Sequence, residues 1–497
     1  MLPKAFEIIL VLLVLLALGP AGLPVMESVT LNQLLAATGG RPSVGAANAV
    51  TFTHVATDSR TVEQGDLFWA LRGEQHDGHS FADEAARRGA VACVAALDST
   101  IPGGLPAALV ADTIQGLKDF AHWYRQRRDA LVVGVTGTVG KTTTREMIYS
   151  VLQTRFDGSR SPKNFNNHIG LPLSMLEMHD EHDFAVLEMG ASKVGEIREL
   201  AAIAAPEAGV LTSIGIAHLE SFGSLDQIVE AKGELIESLP PDGFAVVNGD
   251  DPNCRALANR AACRVLTVGQ QAQNTFRATI VRAVGPELRF RVDGGAFAVR
   301  AAGRHHLTGA LAAVAVAREM GLTTRQIAEG FLQFTPVEGR CHVRDLGQIT
   351  LIDDTYNANP TSMEAACRLL AEWSPAERRM LLLGDMAELG SQAAEWHQVV
   401  GRTAARMQID RLAAVGRYAS DVVHGAIEQG MSPHQVAECK DINSLLAVLD
   451  SWSAAGDVVL VKGSRCMQME RVCDWLIRHF ETNKDTFGPS EQKRACA

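Results

Sequence analysis

The run Ala130-Leu131-Val132-Val133-Gly134-Val135-Thr136-Gly137-Thr138-Val139-Gly140-Lys141-Thr142-Thr143 decides the fold. Through Val135 it is small or apolar and reads as a buried strand, Gly137 to Gly140 reads as a turn, and residues 142–154 carry helical text. Glycines let backbone N–H groups converge on phosphate oxygens, and the helix behind them aims its positive dipole end the same way. Lys141 adds a point charge, and Thr142 a hydroxyl for Mg²⁺. The loop is the short form T-G-x-x-G-K-T, because Val135 stands where the longer form has its first glycine. A nucleoside triphosphate is the expected ligand; the loop alone leaves the reaction open.

The alternation continues on both sides. Phe184–Glu188, 209–212 and 244–247 are strand candidates set among helical text such as 225–238, and 307–320 is an Ala-rich helix. Pro336-Val337-Glu338-Gly339 marks a boundary. Beyond it, strands 350–353, 380–383, Arg411–Val415 and 458–461 alternate with helices 362–373, 393–407 and 467–480. Ahead of the loop, 81–88 and 113–128 read as helices, and Pro102-Gly103-Gly104 as another boundary. Strands alternating with helices imply parallel sheets covered on both faces, an α/β class. At about 150 residues per domain, 497 residues suggest roughly three domains. The expected division is 1–25, 26–104, 105–334, 335–481 and a polar tail 482–497.

Lys and Arg number 46 against 57 Asp and Glu, a net charge of −11, which argues against a nucleic-acid binder. Nine dispersed cysteines with no C-x-x-C pair read as reduced thiols, not as a disulfide framework or a zinc site. Residues Ile8 to Leu18 are uninterruptedly apolar, shorter than the about 20 residues that span a bilayer. Ala17, Gly19 and Ala21 give the run the look of a signal peptide. A loose anchor, or a true start at Met26, is the preferred expectation, because the rest of the chain needs ATP and hence the cytoplasm.

Polar residues gather at strand ends, where parallel sheets bind ligands. Glu188 closes one strand, His218 follows the next, Lys232 lies on a helix, and Asn166-Asn167 precedes another. Alone, these read equally well as a solvated acid, a packed histidine, a surface lysine, and a turn with its helix cap. Asp353-Asp354-Thr355-Tyr356-Asn357-Ala358-Asn359-Pro360, then residues 384–390, then Lys462-Gly463-Ser464-Arg465 stand at equivalent strand ends of the last unit, with Arg340 at its entrance. So many polar clusters on one rim are hard to read as independent loops.

As an ordered series these motifs resemble the Mur ligase family, ATP-dependent enzymes that extend the peptide of the peptidoglycan precursor. The likeness covers about residues 26–480. It is clearest to the branch that joins D-alanyl-D-alanine to UDP-N-acetylmuramoyl-tripeptide, through Asn164-Phe165-Asn166-Asn167, 218–224, 384–390 and 462–465. The resemblance implies three domains: a small α/β nucleotide-sugar domain at 26–104, a central P-loop ATPase at 105–334, and a Rossmann-like acceptor domain at 335–481. It also implies a monomer, with ATP and Mg²⁺ as cofactors. Ser59 and Arg60 would bind the uridine nucleotide. Lys141 and the loop Thr136 to Thr143 would hold phosphates, and Thr142, Glu188 and His218 the metal ions. Lys232 matches the family's carbamylated lysine. Asn166 and Asn167 would line the substrate site, Arg340, Asp354, Tyr356 and Asn357 would reach the nucleotide, and Lys462 and Arg465 the dipeptide carboxylate.

One departure stands out. The family pattern H-N-x-x-N-A near the adenine is here His305-His306-Leu307-Thr308-Gly309-Ala310, with His306 and Gly309 in place of both amides. Rival readings are a sister ligase adding the third peptide residue, a folylpolyglutamate synthase-like ligase, a non-catalytic nucleotide binder and a membrane-tethered ATPase.

Overall fold

The apolar runs fold as the alternation predicts, into parallel sheets flanked by helices. A computed structural model of the chain describes residues 26–43, 50–73, 76–99, 101 and 105–482; the apolar run at 8–18, the Pro102-Gly103-Gly104 turn and the tail lie outside these. The chain divides into two compact units, one of residues up to 130 together with 161–185, the other of 131–160 and everything after 185.

The first unit is built on a five-stranded sheet, in the order Arg41–Pro42, Ala107–Val110, Ala92–Ala96, Leu67–Trp69, Val55–Ala56. It is parallel except at the Arg41–Pro42 edge. Helix Thr113–Arg125 closes one side. Asp112 caps it by accepting from the Ile114 and Gln115 amides, and Trp69 Nε1 donates to the Thr113 carbonyl at 2.8 Å. Helix Gly170–Leu176 packs on that helix, and the Tyr124 hydroxyl donates to the Met178 carbonyl at 2.6 Å.

This corrects the expected domain start at residue 105. Ala107–Val110 is an interior strand of the first sheet, hydrogen-bonded to Ala92–Ala96 and to Arg41–Pro42. Residues 161–185, expected in the central domain, likewise pack with the first unit, through helix Gly170–Leu176 against helix Thr113–Arg125.

Around the loop strand a seven-stranded sheet runs Phe276–Arg277, Arg264–Gly269, Phe244–Asn248, Ala208–Leu211, Leu131–Thr136, Phe184–Glu188, Gly158–Arg160. The loop strand is therefore interior, and the ends Thr136, Glu188 and Leu211 lie side by side. Helix Lys141–Leu152 packs against helices Leu307–Glu319 and Thr324–Gln333. A three-stranded antiparallel sheet, Thr279–Val284, Glu287–Val292 and Gly295–Val299, was not anticipated; Phe290 and Phe297 pack on Phe331 beneath it.

A six-stranded sheet of the second unit runs His342–Asp345, Thr350–Asp354, Asp457–Lys462, Arg378–Gly384, Arg411–Val415, Val436–Cys439, parallel except for its first pair. The carboxyl ends Asp354, Lys462 and Gly384 form one rim. Among the described residues no helix is long and apolar enough to cross a membrane.

Helices Ala393–Arg406 and Ala419–Glu428 pack unusually close. A Cβ on Gly401 would meet the Val422 carbonyl at 1.9 Å, and one on Gly425 the Gln398 carbonyl at 2.2 Å. Backbone atoms cannot swing aside as side chains do. Gly401→Val is expected to cost about 1–3 kcal/mol, read as a lower thermal midpoint; an unchanged midpoint would refute the tight contact.

Candidate active site

The loop after Leu131–Thr136 is held from the neighbouring strand end. Thr138 Oγ1 donates to the Gly215 carbonyl at 3.1 Å, Val139 N donates to Ser213 Oγ at 3.2 Å, and Thr212 Oγ1 donates to the Val139 carbonyl at 2.7 Å. Gly137 has φ 145, and a Cβ there would lie 2.0 Å from Thr212 Oγ1, so no other residue fits this turn. Lys141 opens the helix, and its ammonium donates to the Gly137 carbonyl at 2.9 Å. Burial, and the nearby Arg340 guanidinium, hold its pKa below the usual lysine value, while Glu188 pulls the other way.

A cavity of about 300 Å³ opens here. One wall is the loop, Thr138 through Thr143; Glu188 and His218 stand beside it; Arg340, Asp354, Asn357 and Lys462 come from the other sheet's rim. The expected residues Thr136, Gly137, Tyr356 and Lys232 are not on its wall. Thr136 is fully buried, its hydroxyl donating to the Met189 carbonyl at 2.8 Å, so it shapes the strand end and touches no cavity. Tyr356 instead lies under the Arg340 guanidinium, 3.9 Å from ring centroid to Cζ, a cation–π contact.

Glu188, 2 % exposed, accepts from the Thr142 hydroxyl at 2.8 Å and pairs with Arg145 Nη1 at 3.3 Å. A hydroxyl and a carboxylate at this spacing are the hard oxygen donors that Mg²⁺ takes, so the donor set fits that ion. The buried Nε of Arg340 has no hydrogen-bond partner, which fits an anionic ligand in the same cavity. His218 has φ 51, and its Nδ1 meets Glu388 Oε2 from the loop after Arg378–Gly384. That bond holds the Glu388 carboxyl below its usual range.

Lys232 lies buried on helix Leu225–Glu237. Desolvation first, then the like charge of Lys141, pushes its pKa down to about 7, against the pull of Glu196, Glu234 and Glu188. An amine poised near neutrality is a nucleophile, the form that CO₂ requires.

Two expectations change. Lys462 is buried, and its ammonium donates to Asp354 Oδ2 at 2.6 Å and to the Asn357 carbonyl at 2.9 Å. It closes the rim beside the loop and is not a cation held out for a dipeptide carboxylate. Arg465 is exposed and pairs with Glu470 at 3.3 Å, and unlike Lys462 it is not among the residues lining this cavity.

The remaining candidates belong to the first unit. Ser59, buried, donates to Glu84 Oε2 at 2.9 Å, while exposed Arg60 forks onto Asp58, lowering that carboxyl to about 2 through the Arg60 hydrogen bonds. Asn167 Oδ1 accepts from the Ile169 and Gly170 amides at 3.2 and 2.9 Å, a helix-start cap, and the Asn166 amide donates to the Asn164 carbonyl at 2.8 Å.

The sequence reading names neither Arg145 nor Cys341, and it includes Glu388 and His305 only within the segments 384–390 and 305–310, with no role of their own. Arg145 sits one helical turn beyond Lys141, and nothing in a one-dimensional motif says that it points back at Glu188. His305 is an exposed residue that also lines the cavity, and desolvation, then Lys462, lowers its pKa. Gly309 lets helix Leu307–Glu319 approach the loop helix: a Cβ would lie 2.6 Å from Thr144 Oγ1.

Residues 135–317 match the Mur ligase middle domain, 339–465 the Mur ligase glutamate ligase domain, and 51–122 the Mur ligase catalytic domain. The chain is 36% identical to UDP-N-acetylmuramoyl-tripeptide–D-alanyl-D-alanine ligase of Bacillus subtilis (strain 168), an alignment covering 85% of this chain and 93% of that one. The chain belongs to the Mur ligase family. The Escherichia coli (strain K12) ligase of the same name is 35% identical, over 90% of this chain and 98% of its own. Solved Mur ligases superpose as well: MurF from Acinetobacter baumannii with TM-score 0.84 and 30% identity over 91% of this chain and 99% of that one, and MurF ligase from Thermotoga maritima in complex with ADP with 0.76 and 30% over 86% and 98%. The three-domain Mur ligase architecture is thereby established for this chain.

The Lys232 shift sets a pH signature for this Mur ligase. The folded pKa of about 7 lies below the unfolded value of 10.5, so the unfolded state binds the extra proton between them and stability rises with pH across that window. Below it the buried charge is fully penalised. Lys232→Met should therefore exceed the parent in stability at pH 7 and lose that advantage towards pH 10.5. Urea midpoints in CO₂-free buffer read the gap; a gap independent of pH would contradict the burial of this amine.

Proposed function

We propose that the chain is an ATP-dependent ligase that joins D-alanyl-D-alanine to UDP-N-acetylmuramoyl-tripeptide, giving the pentapeptide precursor of peptidoglycan. The observation that carries this reading is one cavity lined both by the phosphate loop with Lys141 and by Arg340, Asp354 and Lys462 from the last sheet. The relatives that cover nearly the full chain carry that activity in their names.

The tripeptide's terminal carboxylate attacks the γ-phosphorus of ATP, ADP leaves, and the amine of D-alanyl-D-alanine then displaces phosphate from the acyl carbon. Such transfer needs positioning and charge neutralisation above all. Lys141 and the loop amides hold the phosphates, and Arg340, stacked on Tyr356, brings a second cation to the same wall. Thr142 and Glu188 would hold Mg²⁺, with His218 and a carbamylated Lys232 as further ligands; the ion when bound offsets phosphate charge. Asp354 orients Lys462 at the rim.

In this reading the first unit takes the uridine nucleotide through Ser59 and Arg60, Asn166 and Asn167 meet the substrate, and Arg465 is left as the exposed cation for the dipeptide. ATP supply places the enzyme in the cytoplasm, acting as a monomer.

The test gives the full chain ATP, Mg²⁺, the tripeptide nucleotide and D-alanyl-D-alanine, and follows phosphate release and product mass together. A pentapeptide nucleotide formed in step with phosphate is expected, with Lys141→Met lowering kcat by about 10²–10³-fold. Phosphate without that product would give the reaction to a sister ligase; folded protein producing neither would end the proposal.

A further inference from the structure

We propose that His305, His306 and Cys341 form a Zn²⁺ site in the wall of the nucleotide cavity. Their donor atoms lie within 4.8 Å of one another, and all three residues line that cavity. With Zn–N near 2.0–2.1 Å and Zn–S near 2.3 Å, a tetrahedral angle sets sulfur and nitrogen about 3.6 Å apart. His305 Nε2 and Cys341 Sγ are 3.6 Å apart. The widest pair needs to close by about 1 Å to reach the same geometry, within the reach of a side-chain adjustment.

Imidazole and thiolate donors suit Zn²⁺ and not the oxygen-seeking Mg²⁺. Three protein donors leave a fourth position open to water, and the neighbouring cavity supplies the space. The backbone aims the thiol at some cost: Cys341 has φ 51, a left-handed conformation that non-glycine residues seldom adopt. Its amide donates to Asp354 Oδ1 at 3.2 Å, which fixes the turn. His306 takes the place of an amide in the H-N-x-x-N-A pattern, so this donor is a feature of the present chain.

Binding breaks only the Cys341 S–H bond. The sulfur keeps the electron pair, forms the bond to zinc, and the proton passes to solvent; no oxidant or reductant enters. The cysteine spacing concealed the site, since its donors come from two segments and include one thiol. The proposal does not depend on the ligase reading, because its readout is a metal spectrum and needs no substrate.

The test titrates the full chain with Co²⁺ alone, then Zn²⁺ alone. One Co²⁺ per chain with tetrahedral d–d bands and a thiolate-to-cobalt charge-transfer band is expected, all displaced by Zn²⁺. Cys341→Ser should abolish the charge-transfer band. His306→Asn should keep that band while weakening Co²⁺ binding by at least about tenfold, in line with losing a ligand. Circular dichroism and a thermal melt check that each variant folds; if Cys341→Ser does not, the His306→Asn affinity decides. An octahedral spectrum without the thiolate band, a band that survives Cys341→Ser (the exposed Cys466 thiol then being its source), or unchanged affinity in His306→Asn would overturn the site.

Discussion

Buried charge is the constraint on which the second unit depends. Glu188, Lys232, Arg145, Asp354 and Lys462 are each under 9 % exposed, with Lys141 and Arg340 beside them. Removing charges from water costs several kcal/mol each even after relaxation, and pairing returns that only where the geometry is good. Here the pairs are made across sheets and strand ends: Arg145 with Glu188, Lys462 with Asp354. Burial first, and then neighbouring cations (Arg340 for Lys141, Lys141 for Lys232), hold Lys141 and Lys232 below the ordinary lysine pKa. An arrangement of this kind is paid for only by an anion of high charge, and a triphosphate is such an anion.

The topology makes that concentration of charge affordable to build. Parallel strands put all carboxyl ends on one side, so residues far apart in sequence, such as Asp354 and Lys462, become hydrogen-bonded neighbours on adjacent strands Thr350–Asp354 and Asp457–Lys462. Ser464 then ties three strand-end loops, accepting from the Ala387 amide at 2.8 Å, giving its own amide to the Asp385 carbonyl at 3.0 Å, and donating to the Ala358 carbonyl at 3.4 Å. These bonds tie the rim together, the kind of fixed arrangement that favours electrostatic stabilisation of a transferring phosphoryl group.

Much of this was legible in the sequence, because its signals are local. The strand, turn and helix around Lys141, the strand ends at Glu188 and 353–360, and the Ala-rich helix all follow from periodicity within a few residues. What was not legible depends on partners remote in the chain. Lys462 reads as a free cation until Asp354 is placed beside it; Arg145 reads as helix surface until Glu188 faces it; Glu388 acquires meaning only from His218. The antiparallel sheet from Thr279 to Val299 escaped notice because the parallel alternation around it dominated the pattern. The boundary near 104 was misplaced because the tripeptide's composition says nothing about which sheet the next strand, Ala107–Val110, joins.

The first unit is closed by a segment that the chain supplies only after making the phosphate loop. Helix Thr113–Arg125 is covered by Gly170–Leu176, and Tyr124 is satisfied by Met178. During synthesis from the amino end, Phe120 of that helix can already pack on Phe52 and Trp69, while the Tyr124 hydroxyl gains its Met178 acceptor only after the phosphate loop has been made. A truncation before residue 178 would leave that hydroxyl without this acceptor. For this chain the heritable module is larger than the sheet that seems to define it.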